Sequence, residues 1–258
     1  MIFGCVASVS TIGLVKEAGL AFTELQGKAV SALSEEDFRC LRRRLDELEL
    51  PCIGFNAYCP PEITIAGPGY DRRQNLEYIR RTAGRAGELG IRQVGVGSPR
   101  SRILPKDFDR KLAIRQMTEF LLDNAEAYEP LGIAVALEPL AECFCNCINT
   151  CDEALEIITH LEGAHVGLIY DLYSMERQGE ADRSVAELMP YISHVHISDD
   201  VAGDPYSRCM PHPQRYELHR TRLRRLRSAG YTGTVSLETD LPLSAPQLAS
   251  TAAFLRTI

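Results

Sequence analysis

The chain alternates short apolar runs with longer amphipathic segments. Three of the longer segments, 34–50, 71–90 and 111–132, place apolar residues at helical spacing. Several begin at Ser or Asp and end at Gly, which are residues that cap helices. The apolar runs have the length and composition of buried strands: 2–8, 20–26, 51–57, 92–98, 132–140, 166–172, 193–198 and 233–240. This alternation predicts parallel strands joined by crossover helices.

Eight strand–helix units in 258 residues match the size of a (β/α)8 barrel. We therefore predict an α/β fold, a single-domain TIM barrel spanning residues 1–258. An open doubly wound sheet would be expected to carry a glycine-rich dinucleotide loop after its first strand, and VASVSTIG has none. In 132–140 and 233–240, bulky apolar residues alternate with small or polar ones. This pattern predicts apolar side chains facing the helices and small or polar ones facing the barrel interior.

The last four predicted strands end in side chains that bind metals: Glu138, Asp171, His196 and Glu238. A barrel gathers the carboxyl ends of its strands on one rim, where barrel enzymes keep their chemistry. One such residue alone more often caps a helix or packs in the core, but four at equivalent positions favour a site. Their oxygen and imidazole ligands suit one divalent ion: Mn²⁺, Co²⁺, Mg²⁺ or Zn²⁺. His194, one layer deeper on the same face, is interpreted as core packing or support for this site.

Composition and charge narrow the possible partners. The net charge of −7 and pI near 5.5 argue against a general nucleic-acid binder. No apolar stretch reaches the roughly 20 residues of a membrane span. The N-terminal segment is apolar, but it lacks the basic start and cleavage site of a signal peptide. We expect a cytoplasmic protein without nucleic-acid or membrane partners; it could form a homo-oligomer, but no segment indicates an interface.

The nine cysteines are an odd number scattered along the chain, which fits reduced thiols better than a disulfide framework. Four of them cluster: Cys143, Cys145, Cys147 and Cys151. Zinc sites usually combine two closely spaced pairs, whereas the first three of these alternate along the chain. A loop with small apolar thiols is the favoured interpretation over a metal site.

Four segments, ALEPL, YDLYSM, HVHISDD and SLETD, make the chain similar to the xylose isomerase-like barrel superfamily. It resembles in particular the sugar (phosphate) isomerase/epimerase branch, which includes the ketose 3-epimerases. Further segments match in the same order: FTELQG (22–27), VGVGSPRSRILPKDF (94–108) and NCINTCDEALEII (146–158). The resemblance covers most of the chain.

The resemblance implies a divalent-metal-dependent isomerase or epimerase acting on a small carbohydrate. Glu138, Asp171, His196 and Glu238 would bind the metal, and the two glutamates would also form an acid/base pair. The metal would hold a carbonyl and a neighbouring hydroxyl, so that proton transfer proceeds through a metal-bound enediolate. Return of the proton from the opposite face would give an epimer, and return to the adjacent carbon would give aldose–ketose isomerisation.

The candidate substrate-binding residues complete this picture: Arg208, Ser174, Glu24 and His194. Ser174 stands where the epimerases have a histidine that holds substrate. The segment RCMPHPQ keeps Arg208 but has His212 and Pro213 in place of glycines. These differences leave the metal ligands intact and the sugar specificity open. Arg208 would contact a substrate hydroxyl, carboxylate or phosphate, or would be a solvated loop charge.

Three other functions stay open. A metal-dependent dehydratase of a polyol-derived ketone or keto acid would begin with the same enolisation and then expel a hydroxyl group. An apurinic endonuclease-like hydrolase would need more histidines at the rim than a chain with six in total can supply. A non-catalytic subunit could keep the fold without the chemistry.

Overall fold

The computed structural model describes residues 1–161 and 163–258. Parallel strands close into a barrel in which the first strand is hydrogen-bonded to the last. The barrel strands are β1 (Ile2–Ala7), β2 (Phe22–Gln26), β3 (Cys52–Asn56), β4 (Gln93–Val96), β5 (Ala134–Leu137), β6 (Val166–Asp171), β7 (Ile192–Ile197) and β10 (Thr234–Leu237). The predicted single-domain (β/α)8 TIM barrel is confirmed. Seven of the eight predicted runs contain one of these strands, and the run 193–198 overlaps β7, which begins one residue earlier.

Helices cover the outside of the barrel. They are α1 (Ile12–Glu17), α2 (Gly27–Ala32), α3 (Glu35–Glu47), α4 (Arg72–Leu89), α5 (Arg110–Tyr128), α6 (Cys151–His160), α7 (Leu172–Arg177), α8 (Val185–Leu188), α9 (Tyr216–Ser228) and α10 (Ala245–Leu255). The Ser34 hydroxyl accepts from the N–H of Asp37 at 3.1 Å and caps α3, while left-handed Gly90 ends α4. No helix in the described part of the chain is long and apolar enough to cross a membrane.

The two faces of the strands carry different side chains, as the alternation predicts. Val135 and Leu137 of β5, like Val235 of β10, belong to the apolar core. Each fully buried side chain of this kind contributes about 1.5–3 kcal/mol through loss of water contact. Ser236 lies on the other face of β10 and reaches into the lumen, where it contacts Glu24. Apolar packing on the outer face therefore stabilises strands β5 and β10, and their inner face carries polar side chains into the lumen.

The stretch 199–216, which lies between the predicted strands 193–198 and 233–240, contains an antiparallel hairpin. Its strands are β8 (Asp199–Val201) and β9 (Asp204–Cys209), joined by a two-residue turn in which Gly203 has φ of 82°. The N–H of Asp240 donates to the carbonyl of Arg208 at 3.0 Å, which ties β9 to the segment after β10. The hairpin is thereby fixed at the carboxyl rim. The segment 59–71, between β3 and α4, forms no helix or strand.

All nine cysteines are free thiols. Cys145, Cys147 and Cys151 are buried, and Cys143 is half-buried. Among the described residues, none of these four belongs to a group of side chains close enough to hold a metal ion. Cys143, Cys145 and Cys147 lie in the loop after β5, and Cys151 is the first residue of α6.

Candidate metal centre

Glu138, His196 and Glu238 converge at the carboxyl end of the barrel. The two glutamates directly follow β5 and β10, and His196 is the penultimate residue of β7. One ligand atom from each lies within 4.8 Å of the other two. His196 Nδ1 is 2.9 Å from Glu138 Oε1 and 3.5 Å from Glu238 Oε2. Three of the four residues predicted as ligands therefore form one buried group.

Asp171 lies beside this group without joining it. It ends β6 and pairs in register with His196. Its carboxylate accepts from the Tyr173 N–H at 3.0 Å and from the Ser174 hydroxyl at 2.7 Å, which caps α7. Burial, together with the negative charge of Glu138, raises the pKa of Asp171. The ligand role of Asp171 and the substrate role of Ser174 stay predictions.

Two neighbours hold the carboxylate of Glu238. Asn56, the last residue of β3, donates from Nδ2 to Glu238 Oε1 at 2.6 Å. Arg208 Nη1 forms an ion pair with Glu238 Oε2. The remaining donors of Arg208 meet Asp240, from Nε at 3.0 Å and from Nη2 at 3.2 Å. The Arg208 side chain is only 14% exposed, so its description as a solvated loop charge is wrong, while its contact with substrate stays a prediction.

The pKa values of the centre are set by burial and by the charges of its close neighbours. Burial raises the pKa of Glu238 to about 7, against the opposing charges of Arg208 and His196. Burial works in the same direction on Glu138, but its hydrogen bond to His196 and the nearby guanidinium of Arg208 lower the pKa of Glu138. Burial opposes a charged imidazole, yet the surrounding glutamates raise the pKa of His196 well above its ordinary value. The site concentrates negative charge around one ring.

This donor set fits a divalent cation. Buried carboxylates are costly without a counter-charge, and both ring nitrogens of His196 face carboxylate oxygens. A proton or a metal ion must therefore lie between the ring and its neighbours. Carboxylate oxygen and imidazole nitrogen are accepted ligands of the ions predicted above. The carboxylate of Glu138 occupies space that only a glycine at position 97 leaves open, because a Cβ on Gly97 would stand 2.1 Å from Glu138 Oε2.

A second polar layer lies deeper in the lumen. His194 Nε2 is 2.7 Å from Glu24 Oε1, and its Nδ1 is 2.7 Å from the hydroxyl of Thr234. Glu24 Oε1 also contacts the Ser236 hydroxyl and lies 3.4 Å from His196 Nε2. Glu24 and His194 are both fully buried beneath the centre. This placement agrees with the support interpretation for His194, and a direct substrate contact of either residue stays a prediction.

Three residues beside the centre have no role predicted from the sequence: Asn56, Arg102 and Gly97. Asn56 lies at the end of the predicted strand 51–57, so the strand-end rule that found the four ligands could have found it. Arg102 is fully buried and donates from Nη2 to the backbone carbonyl of Glu138 at 2.6 Å. It lies in the segment 94–108 that supports the family resemblance. Gly97 lies there too, but the steric role of a glycine leaves no signal in a single sequence.

A charged cluster lies next to α7 and α9, outside the centre. Glu176 accepts from Arg215 at 2.6 Å and from Arg222 at 2.7 Å. Burial opposes ionisation, but these two guanidinium groups lower the pKa of Glu176. Arg215 Nε also lies 3.0 Å from Asp199 Oδ1. The cluster joins α7 and α9 to the base of the hairpin.

Comparisons with known proteins agree with this architecture. The 3-keto-D-glucoside 4-epimerase of E. coli, in its apo form, aligns with a TM-score of 0.77 and 20% identity over 100% of both chains. The D-psicose 3-epimerase of Clostridium cellulolyticum H10 aligns at 0.77 and 18% identity, over 100% of this chain and 98% of that one. A family 2 AP endonuclease from Brucella melitensis aligns at 0.71 and 20% identity over 98% of both.

No curated protein sequence matches the chain. At identities of 15–20% the structural likenesses establish the fold. The sequence model of one family, described as xylose isomerase-like TIM barrel, matches residues 12–258. That match covers nearly the whole chain, and the chain therefore belongs to the xylose isomerase-like TIM barrel family.

Proposed function

We propose that the protein is a divalent-metal-dependent sugar isomerase or epimerase. The observation that carries this proposal is the convergence of Glu138, His196 and Glu238, whose ligand atoms lie within 4.8 Å of one another at the carboxyl rim. Two carboxylates beside one imidazole combine a cation site with a pair of proton carriers. The epimerases with the same fold support a carbohydrate as the substrate.

Glu138, Asp171, His196 and Glu238 would hold one divalent ion, with Mn²⁺, Co²⁺, Mg²⁺ and Zn²⁺ as candidates. A bound ion would supply Lewis-acid polarisation of a carbonyl group, which makes a neighbouring C–H more acidic. The protein contributes pre-formed positions for these side chains. Asn56 and Arg208 restrain Glu238, and the Glu138 backbone is anchored by Arg102. Such restraint lowers the cost of reaching a reactive geometry.

The two glutamates carry the proton in this proposal. One carboxylate removes a proton from the carbon next to the substrate carbonyl, and the other returns a proton from the opposite face. Each positioned carboxylate of this kind typically contributes about 10²–10⁴-fold to a rate. Return to the same carbon inverts its configuration. Return to the former carbonyl carbon, with the neighbouring hydroxyl proton passing to the former carbonyl oxygen, moves the carbonyl. Both outcomes begin with the same removal of a proton from carbon.

The proposed partner is a small carbohydrate, not a nucleic acid. The net charge of −7 opposes the phosphate backbone, whose binding depends on basic surfaces. Arg208 lies beside the candidate proton carrier Glu238, where it could contact a substrate oxygen. Nine free thiols fit a reducing compartment, and we place the protein in the cytoplasm.

Elemental analysis of the purified protein, followed by a deuterium-exchange screen, tests the proposal. We expect about one divalent ion per chain and, with the right ketose in D₂O, one deuterium at carbon. A product of equal mass apart from that label supports isomerisation or epimerisation. Loss of water would instead assign the dehydratase reaction. A chain that takes up no divalent ion and exchanges no carbon-bound hydrogen with any ketose would refute the proposed function.

A further inference from the structure

Glu24 is a carboxylate buried in the lumen, with no exposed surface. Such a group persists only where hydrogen-bond donors surround it. Its Oε1 atom contacts two of them, His194 Nε2 at 2.7 Å and the Ser236 hydroxyl. His196 Nε2 lies 3.4 Å from the same oxygen and forms no hydrogen bond among the described residues. Its Oε2 atom lies against β3, where a Cβ on Gly54 would be 3.0 Å away. Oε1 of Glu24 is therefore the acceptor atom that lies between the two histidines.

His196 uses its two ring nitrogens in opposite directions. Nδ1 faces Glu138 and Glu238, whereas Nε2 faces Glu24. A neutral imidazole has one N–H and one lone pair, and a metal ion takes the lone pair. The N–H then needs an acceptor, which in metal sites is commonly a carboxylate. Oε1 of Glu24 stands in that position.

We propose that Glu24 is a positioning residue that holds His196 with its proton on Nε2 and so leaves Nδ1 free for the cation. The inference rests on the proposed metal centre and extends it to a residue one layer below the ligands. His194 and Ser236 fix the carboxylate of Glu24 from its other sides. Polar side chains therefore form a continuous series along the barrel axis, from Glu24 in the lumen to the ligands at the carboxyl rim.

Glu24, His194 and His196 also lie close enough together to hold an ion of their own. The contacts favour hydrogen bonds, because Oε1 of Glu24 already contacts His194 Nε2 and the Ser236 hydroxyl. The Nδ1 atom of His194 is occupied as well, by the Thr234 hydroxyl at 2.7 Å. A second ion held by His194 and Glu24 Oε1 would have to displace these bonds.

The test compares Glu24→Gln with Thr23→Val in the full chain. Thr23 is a buried neighbour on the same strand whose hydroxyl bonds the Cys5 carbonyl at 3.0 Å, so its loss reports general damage to β2. We expect the dissociation constant for Mn²⁺, measured by titration calorimetry, to rise about 10- to 100-fold in Glu24→Gln. In Thr23→Val it should change less than threefold.

The tautomer of His196 provides a readout that a merely structural role would not move. In ¹⁵N-histidine NMR spectra of the Zn²⁺-loaded wild-type protein, we expect the His196 proton on Nε2, shifted downfield and slow to exchange because it donates to Glu24. In Zn²⁺-loaded Glu24→Gln the same Nε2–H should move upfield and exchange faster, because a neutral amide is a weaker acceptor. The wild-type spectrum decides the matter even if the variant does not fold. A proton on Nδ1 would overturn the proposal, as would Mn²⁺ binding insensitive to Glu24→Gln. Two ions in the wild type and one in the variant would assign the deeper group as a second metal site instead.

Failure of the proposed function has a different signature. In that case the wild-type chain binds neither Mn²⁺ nor Zn²⁺. The His196 spectrum of the metal-free chain then decides the positioning role, because an Nε2–H bonded to Glu24 should still be present and should be lost in Glu24→Gln. Its absence from the wild-type spectrum would overturn the inference.

Discussion

Replacing Gly97 with alanine tests whether Glu138 needs the place that it occupies in the structure. Gly97 follows β4 and its φ is not positive, so its backbone accepts an alanine without strain. The added Cβ would stand 2.1 Å from Glu138 Oε2 and 3.3 Å from its Cδ. Ordinary carbon–oxygen contact begins near 3.4 Å. The carboxylate must therefore move by more than 1 Å, at the end of a flexible side chain.

That displacement sets the expected magnitude. It breaks the 2.9 Å contact between Glu138 and His196, and a hydrogen bond to a charged group is worth about 1.5–3 kcal/mol. At about 1.36 kcal/mol per tenfold, the loss corresponds to roughly 10- to 100-fold in kcat/KM. Misplacement of a catalytic group by 1 Å costs a similar factor. The free energy of unfolding should fall by at most about 1–3 kcal/mol, the usual cost of overpacking.

The assay is the rate of deuterium incorporation into the ketose, with Mn²⁺ affinity and urea unfolding measured on the same preparation. Gly84→Ala is the matched control, because a Cβ at this exposed position of α4 meets nothing within 4 Å. It should leave turnover unchanged and raise the free energy of unfolding by about 0.5–1 kcal/mol. A Gly97→Ala variant with wild-type turnover and metal affinity would refute the link between the position of Glu138 and the chemistry.

Three further outcomes follow from the same geometry. Glu138→Gln and Glu238→Gln should each reduce deuterium incorporation by about 100-fold or more at saturating Mn²⁺ while the circular dichroism spectrum is unchanged; full activity in both variants would contradict the acid/base assignment. Asn56→Ala removes the 2.6 Å donor to Glu238 and should lower kcat about tenfold or more with a smaller change in KM, whereas an effect on KM alone would indicate a substrate contact instead. Glu176→Gln should lower the free energy of unfolding at pH 7, because the folded pKa of Glu176 lies below its unfolded value of about 4.3 and its ionised form is stabilised above that pH. The stabilisation is lost as the pH falls through the lower folded pKa, so the difference in unfolding free energy between wild type and variant should shrink as the pH is lowered, and a difference that does not shrink would refute the ion-pair explanation.

The sequence predicted the barrel because its strands and helices differ in periodicity. Alternation in β5 and β10 separated lumen from core, and residues such as Ser34 marked where helices begin. The hairpin escaped prediction because residues 199–216 lack an apolar alternation, and its β-structure depends on the Gly203 turn and on pairing with Asp240. Local pattern therefore located the strands and helices of the barrel, whose two faces carry different kinds of side chain.

The candidate centre was predicted from strand ends, and three of its residues meet as expected. What the sequence could not provide is which oxygen faces which nitrogen. Asn56 and Glu238 are 182 residues apart, and the amide of Asn56 has no distinctive spacing. Asp171 illustrates the reverse case, because the same carboxylate can serve a helix cap and a metal. Only the register of neighbouring strands decides between such uses.

The pairing of β1 with β10 has a consequence for folding kinetics. Glu24 and Ser236 are 212 residues apart, so their contact forms only after the loop-closure entropy of nearly the whole chain has been overcome. Contacts of such long range form late and slowly. A partly folded chain with several strands in place would still lack a complete centre. In stopped-flow refolding, the appearance of Mn²⁺ binding should therefore lag behind secondary structure and report the moment when the last strand docks.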